Sequence, residues 1–201
     1  PFEFFGAQAF AAIGDGHINR LRIRPRPHGE TRLPVHDGVL HQVHHEPHHR
    51  DGPERVLGQF AQLQVPGTTA WRNYSYAHPA GRTEVEFIVR LLPSGAMSDY
   101  LRDRAKPGDR IAMRASKGGF HLRPVVRPLV LVAGGTGISA ILAMAQSLEP
   151  GIDLPVHLVY GVTNAGELCK LDELGELQRR LPALRVHPIV SNADPSWDGS
   201  V

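Results

Sequence analysis

The feature that most constrains this chain is the stretch LVLVAGGTGISAILAMAQSL, residues 129–148. Its first five residues are apolar, which predicts a buried strand over 129–133. The segment Gly134-Gly135-Thr136-Gly137 then interrupts the run, and helical spacing resumes from about 137 to 148. A glycine turn between a strand and a helix lets a phosphate or a flat ring approach main-chain amides. Such a turn can also use its glycines for packing alone, and these four residues leave that alternative open.

The same alternation of strand and helix continues toward the C-terminus. The pattern predicts a strand over 156–161, a helix over about 169–180 and a strand over 184–190. Strands and helices that alternate at this period indicate βαβ units and a parallel sheet. We therefore predict an α/β nucleotide-binding domain over residues 126–201, cut short after three strands.

A different pattern precedes this domain. The runs FAQLQV and VEFIVRLL read as half-buried strands separated by turns, which predicts a small antiparallel β-barrel over residues 56–125. Residues 1–55 are crowded with His, Arg and Pro, and we predict no recognisable domain there. The expected fold class is thus α+β with two domains, a barrel followed by a parallel sheet.

Composition narrows the classes of partner. The net charge of +2 gives no strongly basic field for nucleic acid, and no uninterrupted apolar stretch is long enough to span a bilayer. One cysteine, Cys169, excludes a four-thiolate iron–sulfur cluster within these residues. The histidine run HQVHHEPHH, residues 41–49, is read as a solvated loop rather than a metal site, because its proline would break the required helix. We expect a cytoplasmic protein with no metal, nucleic-acid or membrane partner.

A second candidate site is the segment Arg72-Asn73-Tyr74-Ser75. In a strand, Arg72 and Tyr74 share one face. A guanidinium suits phosphate, and a phenol ring can lie on a flavin or purine face. The alternative is an ordinary barrel strand with a surface arginine and a core tyrosine.

A third candidate site is the segment Gly95-Ala96-Met97-Ser98. Ser98 is predicted to cap a helix that runs to about Ala105, so that the amides of Met97 and Ser98 face outward at its positive end. That end could hold a second phosphate group. The alternative is a plain capped surface helix.

Taken in this order, the three segments resemble those of the ferredoxin-reductase-like flavoproteins. The resemblance is closest to the NADH-dependent reductase components of benzoate- and anthranilate-type aromatic-ring dioxygenases, and YGVTNAGELCKLDEL looks like that family's second nucleotide-binding strand and helix. It implies an FAD-binding barrel, an NAD-binding domain, the cofactors FAD and NADH, and an iron–sulfur ferredoxin or oxygenase component as partner.

The resemblance also implies a role for each matched residue. Arg72 would contact the FAD phosphates, Tyr74 would stack on the isoalloxazine, and Ser75 would bond near flavin N5. Thr136 would lie beside the nicotinamide ring, which makes Ser75 and Thr136 the implied catalytic residues. The other implied cofactor-binding residues are Asn73, Ile88, Val89, Arg90, Gly95, Met97, Ser98, Gly134, Gly135, Gly137 and Gly161. Val162 and Thr163 come directly after Gly161, where no arginine is ready to hold a 2′-phosphate, so NADH is favoured over NADPH.

The chain also departs from the family's pattern. The Cys-Gly-Pro segment and the four-cysteine ferredoxin module are absent, and the barrel strands expected before Gly58 are unrecognisable. Two other functions stay open for this reason. The chain could act as a free-standing NADH:flavin reductase, or it could be a non-catalytic nucleotide-binding fragment.

Overall fold

The computed structural model describes residues 58–79, 85–106 and 109–193, together with Trp197 and Gly199. It also describes the main chain of two earlier strands, β1 (Glu3–Ala11) and β2 (Ile18–Arg24). Both strands lie within residues 1–55, where the sequence pattern predicted no recognisable domain. The period-two run RLRIR lies within β2, but a run this short did not by itself identify a barrel strand. The histidine run at 41–49 lies outside the described residues.

An antiparallel sheet forms the first domain. Its later strands are β3 (Phe60–Gln64), β4 (Trp71–Ser75), β5 (Val85–Arg90) and β6 (Arg110–Lys117), with helix α1 (Ala96–Asp103) between the last two. The strand order is β4-β3-β6-β1-β2-β5. A bridge from Tyr76, the residue after β4, to Phe87 of β5 joins the two edges of the sheet. The sheet therefore closes as the predicted barrel.

The interior of the barrel is apolar because alternate residues of its strands point inward. Ala61 and Leu63 of β3 and Val85, Phe87 and Val89 of β5 lie in one core cluster. Strand β5 departs from the predicted half-buried pattern, since its first five residues are all buried. The outer face of β5 is covered by the second domain.

The second domain is a parallel sheet in the order β7-β8-β9. Its elements are β7 (Leu129–Gly134), the 3-10 turn Gly135–Gly137, α2 (Ile138–Gln146), β8 (Val156–Val162), the 3-10 turn Ala165–Glu167, α3 (Leu171–Arg180) and β9 (Leu184–Val190). These bounds confirm the predicted strands and helices to within two residues.

The parallel sheet and its helices share one hydrophobic core. Buried residues of α2 and α3 pack with the inward side chains of all three strands. Helix α3 carries acidic residues in its first turn and arginines in its last, which suits the helix dipole. Within the described residues, no helix combines the length and the apolar character needed to cross a membrane.

Candidate functional site

Tyr74 lies near the end of β4, where its ring is half-buried against the barrel. Its ring centroid is 6.3 Å from that of Phe87, at an interplanar angle of 58°. Burial raises the pKa of Tyr74 to about 12, although the nearby Arg72 guanidinium lowers it. The phenol is therefore neutral at physiological pH, which suits a ring that stacks on another ring.

The neighbours of Tyr74 have separate surroundings. Arg72 is exposed, and its Nη1 donates to the carbonyl oxygen of Trp71 at 2.9 Å. Asn73 lies on the opposite face, where its Oδ1 accepts from Gln62 Nε2 at 3.0 Å. Ser75 is half-buried on that same opposite face. The structure thus groups Arg72 with Tyr74 as predicted and turns the Asn73 side chain toward β3.

Strand β5 runs beside β4 and holds three of the candidate residues. The side chain of Ile88 is buried in the core of the second domain, and that of Val89 is buried in the barrel. Arg90 is exposed, and its Nη2 lies 3.2 Å from Glu167 Oε1. Contact of Ile88 and Val89 with a cofactor is therefore limited to the main chain.

Helix α1 begins one turn earlier than its predicted cap. Gly95, not Ser98, is the N-cap residue, and Ser98 Oγ accepts a hydrogen bond from the Leu92 amide at 3.0 Å. A Cβ at Gly95 would lie 2.9 Å from Ser98 Oγ, so a larger residue there would displace the Ser98 hydroxyl. The Met97 side chain is buried in the barrel core. What remains available to a ligand is the row of first-turn amides, which have no acceptor within the helix.

The glycine turn lies where the parallel strands end. Gly134 is exposed, Gly135 has φ +50°, and Gly134 is in register with Gly161 on β8. A Cβ built at Gly134, Gly135 or Gly137 would meet no atom within 4 Å. These three glycines therefore leave open space at the ends of the parallel strands, and we call this surface the glycine floor. Thr136 is half-buried at this floor, and its carbonyl accepts from Ser139 Oγ at 2.7 Å.

Strand β5 connects the two candidate sites. It lies against the 3-10 turn Gly135–Gly137, and its bridge at Phe87 joins it to the chain just after β4. Ala77 and Ile88 of the barrel belong to the same buried cluster as Ile138 of α2. The aromatic end of β4 and the glycine floor are therefore held on two packed domains with one strand between them.

Three charged residues at this junction, Glu86, Glu167 and Lys170, were not predicted from the sequence. Lys170 Nζ lies 2.6 Å from Glu86 Oε1, which joins the second domain to β5. Glu167 Oε2 accepts from the Thr163 amide at 3.3 Å, next to the end of β8. The one visible signal was Glu86 itself, a carboxylate within an otherwise apolar strand.

Two domain families match this chain. Residues 47–122 match the oxidoreductase FAD-binding domain, and residues 131–201 match the oxidoreductase NAD-binding domain. The chain thus contains the FAD-binding and NAD-binding domains of ferredoxin-reductase-type oxidoreductases. The predicted order of a flavin barrel followed by a nucleotide domain is confirmed for this ferredoxin-reductase chain.

Curated relatives of this ferredoxin-reductase chain are electron-transfer proteins of oxygenase systems. The chain is 44% identical over 144 residues to the anthranilate 1,2-dioxygenase electron transfer component of Acinetobacter baylyi, a match that covers 71% of this chain and 42% of the relative. It is 39% identical over 141 residues to the toluate 1,2-dioxygenase electron transfer component of Pseudomonas putida, which covers 70% and 42%. The chain thus spans less than half the length of these relatives.

Two solved structures show the same fold. The cytochrome P450 reductase GcoB of Amycolatopsis superposes with a TM-score of 0.75 at 27% identity, covering 100% of this chain and 56% of that one. The ferredoxin reductase of carbazole 1,9a-dioxygenase gives a TM-score of 0.70 at 22% identity, covering 100% and 54%. The arrangement of the two domains is therefore that of known ferredoxin-type reductases.

Proposed function

We propose that this chain carries the FAD- and NADH-binding domains of a reductase that passes electrons from NADH through FAD to the iron–sulfur centre of an aromatic-ring dioxygenase system. The observation that carries the proposal is the pairing of an aromatic strand end with a glycine floor across β5. Relatives named for anthranilate, toluate and 2-halobenzoate dioxygenases support the class of partner.

The residues of β4 and α1 fit FAD. Tyr74 offers a neutral, half-buried ring for the isoalloxazine, and the exposed Arg72 offers a guanidinium for the phosphates. The first-turn amides of α1, including those of Met97 and Ser98, can receive the pyrophosphate. Ser75, at the end of β4, is assigned to hydrogen bonding near flavin N5.

The glycine floor fits NADH. Gly134, Gly135 and Gly137 leave space for the cofactor against the main chain, and Thr136 stands beside the nicotinamide in this assignment. Gly161, in register with Gly134, continues the floor onto β8. Glu167 adds a carboxylate near the end of β8, which disfavours a 2′-phosphate and so favours NADH over NADPH.

The chemistry divides between the cofactors and the protein. FAD, when bound, accepts two electrons from NADH and releases them one at a time to an iron–sulfur acceptor. The protein orients the two rings, and the packed β5 fixes one domain against the other. Because these residues include a single cysteine, the iron–sulfur centre lies outside them. We place the reaction in the cytoplasm, where NADH is available.

Anaerobic mixing tests this proposal. The chain is loaded with FAD, mixed with NADH or NADPH, and then given either a two-iron ferredoxin or free flavin as acceptor. We expect FAD to remain bound, NADH to act faster than NADPH, and the ferredoxin to be reduced. Transfer only to free flavin would indicate an NADH:flavin reductase instead. A chain that retains no FAD would indicate a nucleotide-binding fragment.

A further inference from the structure

The outer face of β5 is an interdomain surface. Alternate residues of β5 point into the barrel, while Glu86, Ile88 and Arg90 point the other way. Each of these three meets the second domain: Glu86 contacts Lys170, Ile88 lies in the second core, and Arg90 contacts Glu167. The two domains are thus joined along one strand by two ion pairs and a buried apolar side chain.

The ion pair of Glu86 with Lys170 is the enclosed one of the two. The side chains of Lys170 and Glu86 are 4% and 6% exposed, whereas Arg90 is 51% exposed. Lys170 Nζ also lies 2.7 Å from Glu173 Oε1, so two carboxylates surround one ammonium. A buried charge separated from its partner is strongly unfavourable, so this pair tolerates little relative movement of the domains.

The location of the pair links it to both cofactor sites. Glu86 is adjacent in sequence to Phe87, whose bridge to Tyr76 lies two residues after Tyr74. Lys170 immediately precedes α3, in the connection that follows β8 and Gly161. Lys170 itself adopts a left-handed conformation with φ +67°, which is uncommon for a side chain of this size. The structure therefore constrains the positions of both Glu86 and Lys170.

We propose that Glu86 and Lys170 are a positioning pair that sets the distance and angle between the flavin strand β4 and the glycine floor. The proposal rests on the proposed function, since its consequence is the rate at which NADH reduces bound FAD. Neither residue touches a reacting atom. Both act through β5 and the connection that precedes α3.

The test uses the double variant Glu86→Gln with Lys170→Met, which removes both charges and so leaves no buried ion without its partner. Glu173, whose side chain is 27% exposed, can then turn to water. The matched control is Lys117→Met, since Lys117 is an exposed residue of β6 whose Nζ donates to Gln62 within the barrel.

The first measurement is independent of turnover. Spin labels are attached at Thr69→Cys in the barrel and Arg179→Cys in α3, both exposed positions, in a Cys169→Ser background. The distance between the labels is measured by pulsed electron resonance. We expect a narrow distribution in the parent chain and in the Lys117→Met control, and a broader or shifted one in the double variant. An unchanged distribution in the double variant would overturn the proposal.

The second measurement is the limiting rate of FAD reduction at saturating NADH. Since misplacement of reacting groups by about 1 Å can slow a reaction roughly 100-fold, we expect a loss of about 10- to 100-fold in the double variant. FAD retention and the Kd of NADH should stay within about threefold of the parent values, because the residues assigned to bind both cofactors are intact. A parental rate in the double variant would overturn the proposal while leaving the reductase function in place. If the parent chain binds FAD but NADH does not reduce it, the proposed function fails, and the label distances still decide whether the pair positions the domains.

Discussion

Arg72 is the residue whose proposed role in FAD binding can be separated most cleanly from its effect on stability. It is exposed, and the hydrogen bond described for its side chain goes to the adjacent Trp71 carbonyl. We therefore expect Arg72→Ala to change the free energy of unfolding by no more than about 0.5 kcal/mol. The Kd of FAD should rise by about 10- to 100-fold, the range for a lost charged hydrogen bond. Flavin titration and denaturant unfolding measure the two effects, with Arg179→Ala as the control. A variant that purifies with full FAD would contradict the assignment.

A substitution at Gly137 tests whether the glycine floor binds NADH. Its φ of −60° suits any residue, and a Cβ there would enter open space. Gly137→Ala should therefore keep or slightly raise the thermal midpoint, because alanine restricts the unfolded chain. The Kd of NADH should rise by about tenfold or more, since the methyl group occupies space assigned to the cofactor. Isothermal titration with NADH measures this Kd, and Gly151→Ala is the control, since a Cβ at Gly151 also meets no atom within 4 Å. Equal NADH affinity in both variants would remove Gly137 from the site.

Individual residues also show what the sequence could predict. Tyr74 and the segment Gly134-Gly135-Thr136-Gly137 could be named as candidates because a strand and a strand-to-helix turn are both local sequence patterns. The cap of α1 was assigned to the wrong residue, because serine is usually a better cap than glycine and the hydrogen bond of Ser98 to Leu92 is not visible in a pattern. The pair of Glu86 and Lys170 joins positions 84 residues apart by their numbering, and no local rule could have predicted it.

At the scale of elements, Gly58 controls how the chain enters β3. Its φ is +90°, and a Cβ there would contact the Cε of Met144 on α2 and the carbonyl oxygen of Phe120. Gly58→Ala should therefore lower the free energy of unfolding by about 2–4 kcal/mol, from steric overlap and backbone strain together. Urea unfolding measures this loss. Gly119→Ala, where a Cβ meets nothing within 4 Å, is the control, and equal stability of the two variants would contradict the packing described here.

Packing between elements explains why the burial of β5 was predicted wrongly. A half-buried strand was predicted from its alternation, but its outer face is covered by the second domain. Patterning within a single strand cannot distinguish a face that meets water from one that meets another domain. The parallel sheet was predicted closely for the opposite reason, since its strand and helix pattern is set within each βαβ unit.

At the scale of the whole molecule, buried tyrosines set the response to alkaline pH. Burial raises the pKa of Tyr74 to about 12 and raises the pKa values of Tyr100 and Tyr160 above their usual range. Tyrosines of the unfolded chain ionise near pH 10, so unfolding releases protons above that pH. The free energy of unfolding should therefore be unaffected by these groups below about pH 10 and fall as the pH rises toward 12.

Denaturant unfolding at several alkaline pH values, followed with tyrosinate absorbance, measures this dependence. Tyr74→Phe keeps the ring and removes the ionisable hydroxyl, so its loss of stability between about pH 10 and 12 should be smaller than that of the parent. Folded protein in which every tyrosine ionises near pH 10 would contradict the burial of these rings.

In the proposed function, the two packed domains bring a flavin and a nicotinamide into contact across β5. The most direct measurement is the visible absorbance of the FAD-loaded chain when one equivalent of NADH is added without oxygen. We expect the oxidised flavin bands to disappear and to return when an electron acceptor is added. Flavin bands that persist in the presence of NADH would contradict it.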